Sequence, residues 1–294
     1  MKIIVDTDIG NDCDDAGALA ILHNLKNEKN IEILAILSST SLIEGAYCVE
    51  VINNYYKHDC LIGYNDKKGY FDYYKKKTYT QIVSDKFPHK NSYLSYTKAF
   101  RKSLASANDN EVIFIILGPM HALKMALDSD FDEYSKLNGI DLFNQKVKEV
   151  YVMAGKFNSE KIYFENNEII SEWNIKSDIK SFQYFMNNCH KEITFIPFEL
   201  GMMLTGKNLK DINNPVKISY DYAANGLRNS WDPITMYYAL TNDNVSFKRS
   251  NKGIVKIADD GVSSFKENTN GKHYVLYSLV EDENIKEIID NYLK

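Results

Sequence analysis

The chain has 294 residues, 44% of them hydrophobic, and a formal net charge of −5. That is enough apolar material for a sizeable core, and the negative balance gives no electrostatic reason to expect a nucleic acid as partner. Four cysteines (Cys13, Cys48, Cys60, Cys189) form no CxxC pair and read as reduced thiols. No apolar run approaches a membrane span, and no basic, apolar leader precedes the first strand pattern. The expected setting is cytoplasmic, with no membrane partner.

Residues 2–5 are apolar and rich in β-branched side chains, which suits a buried strand. Five aspartates follow within ten positions: Asp6, Asp8, Asp12, Asp14 and Asp15. Residues 16–25 are then apolar at helical spacing, with Ala18, Leu22 and Leu25 on one stripe. The unit is strand, acidic turn, helix, with Asn11 or Asp12 as its expected cap. Residues 31–38 (IEILAILS) read as a second strand, 44–56 as a helix and 60–63 as a short strand. The stretch 69–88 mixes tyrosines with lysines without periodicity. It reads as a solvated connection, ahead of a lid over the acidic turn or a stacking surface for nucleic acid.

Residues 91–107 are expected to be helical, and 111–118 (EVIFIILG) form the clearest buried strand, with Pro119 at a helix start. A strand at 149–154 leads into a polar loop up to Ser171. A helix at 177–188 and a strand at 192–197 come next, then two helices at 216–229 and 232–240. Strand-like runs at 254–257 and 273–279 precede an amphipathic helix at 285–293. This alternation argues for α/β architecture: a single open, mainly parallel twisted sheet with helices on both faces. No Pro/Gly-rich linker divides the chain, so residues 1–294 read as one domain.

In that architecture ligands bind beyond the carboxyl ends of the strands, where the acidic turn falls. Helix capping accounts for one or two carboxylates there. Five point to a metal site, and oxygen-only ligands favour a hard cation, Ca²⁺ or Mg²⁺. At these residues the sequence resembles the Ca²⁺-dependent nucleoside hydrolases of the inosine-uridine-preferring type, whose N-terminal motif runs D-x-D-x-G-x-D-D-A. Asp6, Asp8 and Gly10 match it from the left; Asp14, Asp15 and Ala16 match it from the right. Two extra residues lie between, so Asp12 has no counterpart in the short form; a longer form, D-x-D-x-G-x-D-x-D-D, also occurs in the family.

Three further segments carry the resemblance in order. ILGPMHALKMAL (116–127) is similar to the family's G-P-L-T-N-L-A, with His121 where a threonine gives its carbonyl to the metal. SEWNIKSD (171–178) resembles an E-F-N segment whose residues hold ribose, matched by Glu172 and Asn174, with Asn166 at the place of a further asparagine. NSWDPITMYYAL (229–240) resembles an H-D-P segment in which Asp232 is matched and Trp231 replaces the histidine. The turn 38–45 (SSTSLIEG) lacks the family's asparagine and leaves Ser39, Thr40 and Ser41 as candidate replacements.

The resemblance implies hydrolysis of the N-ribosidic bond of a nucleoside or nucleoside-like small molecule by a homodimer or homotetramer. It implies Ca²⁺ on Asp8, Asp15, the His121 carbonyl and Asp232, activating a water whose proton Asp8 takes as general base. Asp14, Asn166, Glu172 and Asn174 would bind the sugar, and Trp231 would offer an aromatic platform to the base. Trp231 is no useful acid, so the leaving base lacks the family's histidine donor. Two rivals stand beside this reading. One is a phosphatase of the haloacid-dehalogenase type using Asp6, Asp8 and the IADDG segment (257–261). The other is a metal-dependent ribose or nucleoside binder without turnover.

Overall fold

The computed structural model describes residues 1–10, 12–67, 77–90 and 92–294. Its first half alternates β1 (Lys2–Thr7), α1 (Asp14–Glu28), β2 (Glu32–Ser38), α2 (Ile43–Tyr55), β3 (Leu61–Tyr64), α3 (Tyr79–Lys86), β4 (Leu94–Ser95), α4 (Tyr96–Ala105), β5 (Val112–Ile116), α5 (His121–Leu127), α6 (Gly139–Lys146) and β6 (Val147–Met153). A small hairpin, β7 (Tyr163–Phe164) and β8 (Asn167–Glu168), leads to α7 (Trp173–Ser177), α8 (Ile179–Asn188) and β9 (Glu192–Ile196). The rest comprises β10 (Leu204–Thr205), α9 (Pro215–Ala224), β11 (Arg228–Asn229), α10 (Trp231–Thr241), β12 (Phe247–Arg249), β13 (Gly253–Ile257), β14 (Ser263–Glu267), β15 (His273–Ser278) and α11 (Asp282–Leu293).

The main sheet runs β14-β13-β15-β9-β6-β5-β1-β2-β3-β4, parallel from β15 to β4, with β12 and β13 antiparallel to β15 and β14 antiparallel to β13. The strand that carries the acidic turn is therefore interior, paired in parallel with β2 on one side and β5 on the other. β1 and β5 are apolar almost throughout because helices cover both faces, and two core clusters lie on opposite sides of the sheet.

Several local expectations are corrected. The connection after β3 is not wholly solvated: residues 79–86 form α3, started by a capping box in which Thr78 and Gln81 bond each other's backbone N–H. The earlier part of that stretch, 68–76, lies outside the described residues, as does Asn11. Asp12 does not cap α1; Cys13 occupies that position without a side-chain bond. The helices α6 and α7 and the strands β12 and β14 carry too short a pattern to read beforehand. Helix α9 ends at Ala224 because Asn225 takes a left-handed conformation (φ +50°) that stops it.

Candidate active site

β1 ends at Thr7 and delivers Asp8 to the carboxyl end of the sheet. Asp8 leans on Gly118, just past β5, where a Cβ would lie 2.4 Å from Asp8 Oδ1; only glycine admits so close an approach. The turn then enters α1, whose first two residues are Asp14 and Asp15, both buried. Helix α10 packs against α1 and carries Asp232 into the same region, where its backbone N–H donates to Asp14 Oδ2 at 3.4 Å. Residues at opposite ends of the sequence thus meet over one strand end.

Burial raises the pKa of Asp8, Asp14, Asp15 and Asp232 well above the ordinary carboxylate value, and their mutual repulsion adds to it. Thr7 donates to Asp15 Oδ1, yet Asp14 Oδ1 and Asp15 Oδ2 are buried with no hydrogen-bond partner. Asp6 shares this pattern, its Oδ1 being likewise buried without a hydrogen-bond partner. It accepts from the Tyr96 hydroxyl, and burial pushes its pKa up to about 7 against the effect of Tyr96 and Ser39.

One cation enters the cluster. Arg228 Nη2 lies 2.5 Å from Asp12 Oδ2, and Nε lies 3.7 Å from Asp14 Oδ1. Burial disfavours the guanidinium charge, but Asp12 and Asp14 outweigh it and hold its proton more firmly than usual. Its carbon sits 5.1 Å over the Trp231 ring. Sequence reading passed over Arg228; its only signal was a lone arginine three positions before the W-D-P segment.

Facing the carboxylates is an apolar wall. Trp231 stacks on Phe198 (centroids 5.0 Å apart, planes at 24°), and Phe164 meets it edge-on at 5.4 Å. The indole N–H of Trp231 donates to the Phe198 carbonyl at 2.9 Å, so its one donor is committed. Between the two walls stands α7. Glu172 caps it, accepting from the N–H groups of Asn174 (2.6 Å), Ile175 (3.2 Å) and, across the site, Gly155 (3.2 Å). Burial lifts Glu172 to a pKa of about 7, with those three N–H bonds opposing. The Asn174 amide ties α7 to the strand ends through the carbonyls of Leu117 (2.9 Å) and Met153 (3.1 Å).

These elements enclose a cavity of about 590 Å³, within the usual range for small-molecule sites. Of the residues singled out from sequence, Asp8, Asp14, Glu172, Asn174, Trp231 and Asp232 line it. Asp15 lies behind them. Asn166 does not line it: it sits exposed at the tip of the β7–β8 hairpin with φ +66°, and its neighbour Asn167 lines the cavity instead. The His121 ring faces away, its Nδ1 3.5 Å from Asp178 Oδ2. The acidic IADDG segment is the turn of the β13–β14 hairpin, outside the cavity. Phe164, Trp173 and Phe198 line it without having been foreseen. Among the described residues, no three His, Cys, Asp or Glu side chains are already gathered closely enough to hold a metal ion, and no helix is long and apolar enough to cross a membrane.

The likeness to known proteins follows this geometry. A search of curated protein sequences returns no match. Among solved structures, the chain is similar to the inosine-uridine preferring nucleoside hydrolase from Bacillus anthracis, with a TM-score of 0.73 at 18% identity, covering 100% of this chain and 99% of that one. It is also similar to the purine-preferring ribonucleoside hydrolase from Gardnerella vaginalis (TM-score 0.67, 16% identity, 100% and 96% covered). The type III effector protein XopQ, complexed with adenosine diphosphate ribose, gives a TM-score of 0.67 at 11% identity over 100% and 93%. At such identities these likenesses show the fold. The family model for inosine-uridine preferring nucleoside hydrolases matches residues 3–278, nearly the whole chain. The chain belongs to that family of N-ribosyl hydrolases.

Proposed function

We propose that the cavity hydrolyses the N-ribosidic bond of a nucleoside-like substrate with Asp8 as general base. The observation that supports this most is the convergence of Asp8, Asp14, Asp232, Glu172 and Asn174, drawn from distant chain segments, on one cavity at the strand ends. Glu172 and Asn174 are preset for sugar recognition, because backbone N–H bonds and strand-end carbonyls fix their orientation before any ligand arrives. Asp8 is held against Gly118 and surrounded by other carboxylates, so a proton on it is welcome. The same negative surroundings favour positive charge growing on the ribose ring as the bond to the base stretches.

The orphaned oxygens of Asp14 and Asp15 and the excess of buried carboxylate fit a hard, oxygen-preferring dication such as Ca²⁺ in donor chemistry. The side chains are close enough to raise one another's pKa but are not drawn round a common point. Asp8, Asp15 and Asp232 would hold the ion, with the His121 carbonyl as a further donor. A dication there supplies Lewis-acid charge that makes a neighbouring water more acidic.

The test is turnover of p-nitrophenyl riboside, inosine and uridine. Asp8→Asn is expected to lower kcat by ~10²–10⁴-fold, the usual worth of a positioned base, while leaving the fold intact. Wild-type kcat in that variant removes Asp8 from the role. Tight riboside binding with no turnover of any of the three substrates would establish a binding protein instead.

A further inference from the structure

Glu199 lies outside the cavity, on the short 3₁₀ turn Phe198–Gly201 that follows β9. Its Oε1 accepts from two consecutive backbone N–H groups, those of Phe157 (2.9 Å) and Asn158 (2.8 Å). Its Oε2 is buried and has no hydrogen-bond partner among the described residues. Leaving a carboxylate oxygen dry and unpaired is costly, so the two bonds that Glu199 does make define its part in the structure.

Both bonds hold the strap 155–158, which leaves the end of β6 and meets both walls of the site. The Gly155 N–H donates to Glu172 Oε2 at 3.2 Å, and the Gly155 carbonyl accepts from the Phe198 N–H at 2.8 Å. Phe198 stacks on Trp231 and takes its indole N–H. The other two N–H groups on Glu172 belong to Asn174 and Ile175, so they orient its carboxylate only relative to α7. The Gly155 bond orients it relative to the strand ends. Gly155 has φ +87°, and the Phe157 ring lies 2.7 Å from where a Cβ would be, so what fixes Phe157 also fixes Gly155. A second clasp comes from the β13–β14 hairpin. The Ser263 hydroxyl accepts from the Lys156 N–H and donates to the Lys156 carbonyl, both at 2.9 Å. The same hairpin gives the Gly261 carbonyl to Ser171 Oγ (2.8 Å), beside Glu172. The IADDG turn thus backs the sugar side of the site from outside.

We propose that Glu199 is a positioning residue for the hydrolysis: through the strap it aims the Glu172 carboxylate at the sugar, with the β13–β14 hairpin as second support. This rests on the hydrolase reading above, in which Glu172 holds the ribose. Side chains that touch the reacting molecule depend on such outer bonds, and a displacement of about 1 Å can cost ~10²-fold in rate.

The experiment uses the whole protein, supplied with Ca²⁺, and p-nitrophenyl riboside. Glu199→Leu removes the acceptor, whereas Glu199→Gln keeps an oxygen able to receive both N–H groups. Expected is a kcat/KM at least ~10-fold below wild type for Glu199→Leu and within about threefold of it for Glu199→Gln. The rise in melting temperature on adding Ca²⁺, which reads Asp8, Asp15 and Asp232, should be the same in all three proteins. In a Glu172→Gln background, Glu199→Leu should lower kcat/KM by less than about twofold, because the group it acts through is already impaired. Ser263→Ala should show a smaller loss with the same dependence on Glu172, and it decides the matter if Glu199→Leu gives no cooperative melt. Wild-type kcat/KM in Glu199→Leu, a loss undiminished in the Glu172→Gln background, an equal loss in Glu199→Gln or a vanished calcium shift each overturns this inference and leaves the hydrolase reading standing. If the wild type cleaves no riboside, the hydrolase reading falls and this inference with it.

Discussion

Helix α1 buries two polar clusters, and they solve burial in opposite ways. Near its C-terminal end, His23 is fully buried, yet both ring nitrogens are served. Nε2 faces Asn53 Oδ1 at 2.8 Å, and Nδ1 faces His58 Nδ1 at 2.9 Å. The chemistry assigns the tautomers: His23 Nε2–H donates to Asn53, so His23 Nδ1 must accept from His58 Nδ1–H. A neutral ring closes the network, and burial holds the His23 pKa down to about 3. At the N-terminal end, Asp14 Oδ1 and Asp15 Oδ2 are buried without a hydrogen bond, the former with only the Arg228 guanidinium 3.7 Å away, and the pKa values of four carboxylates are pushed up by burial and mutual repulsion. Buried polar groups are nearly always satisfied, so a cluster left open carries a requirement from outside the chain. The histidine network is architecture; the aspartates are the part of α1 to which the proposed function assigns a ligand.

The sharpest way to break this comparison is to neutralise one open carboxylate. Asp232→Asn should abolish riboside turnover yet melt at a higher temperature than wild type in chelator, because one repelling charge has gone. Ca²⁺ at ~100 times its Kd should stabilise the wild type by ~2.7 kcal/mol and the variant hardly at all. A full calcium shift in Asp232→Asn takes that residue out of the donor set.

The closed cluster should respond to acid instead. His23 has a folded pKa of about 3 against an ordinary 6.5, so the unfolded chain binds the extra proton. Its stability contribution is complete above pH 6.5 and is lost as pH falls towards 3, by ~1.4 kcal/mol per pH unit. His273, held down to about 4 by burial, adds to the same slope. Thermal melts from pH 7 to 4 should therefore be flatter for His23→Gln, with riboside turnover at pH 7 retained. An unchanged slope assigns the acid sensitivity elsewhere.

Arg228 brings a positive charge that partly closes the open cluster from within. Arg228→Met leaves Asp14 without its cation and should cost ~1–3 kcal/mol, towards the lower end because the Asp12 side chain is 36% exposed and screened. Calcium should restore more stability to this variant than to wild type. Equal calcium shifts would show that the guanidinium and the metal do not share carboxylates.

Much of the fold was legible because long apolar runs in the interior of a parallel sheet leave little ambiguity: β1, β2, β5, β6 and β9 fall where the sequence pattern puts them. The short elements were not. α3 depends on a Thr78–Gln81 box inside a tyrosine-lysine stretch, and β12 exists through pairing with the distant β15, and β14 through its hairpin with β13, rather than through their own pattern. In the site, the aspartates were legible because their spacing is dense and fixed by one turn. Asn166 shows the limit: a hairpin can deliver either of two adjacent asparagines, and the turn at positive φ presents Asn167 to the cavity. Arg228 and Trp173 reach the cavity only through tertiary packing, which no local spacing reports.

The contact between Asp14 and Asp232 also bears on how the molecule is assembled. The two lie 218 positions apart, and the helix carrying the second must dock on α1 before the acidic pocket exists. Until then the early carboxylates stay hydrated and repel one another little. The cost of crowding them together therefore falls on whichever folding step docks α10 on α1. A chain arrested before that docking holds Asp14 and Asp15 but not Asp232 in place, and so only part of the proposed centre.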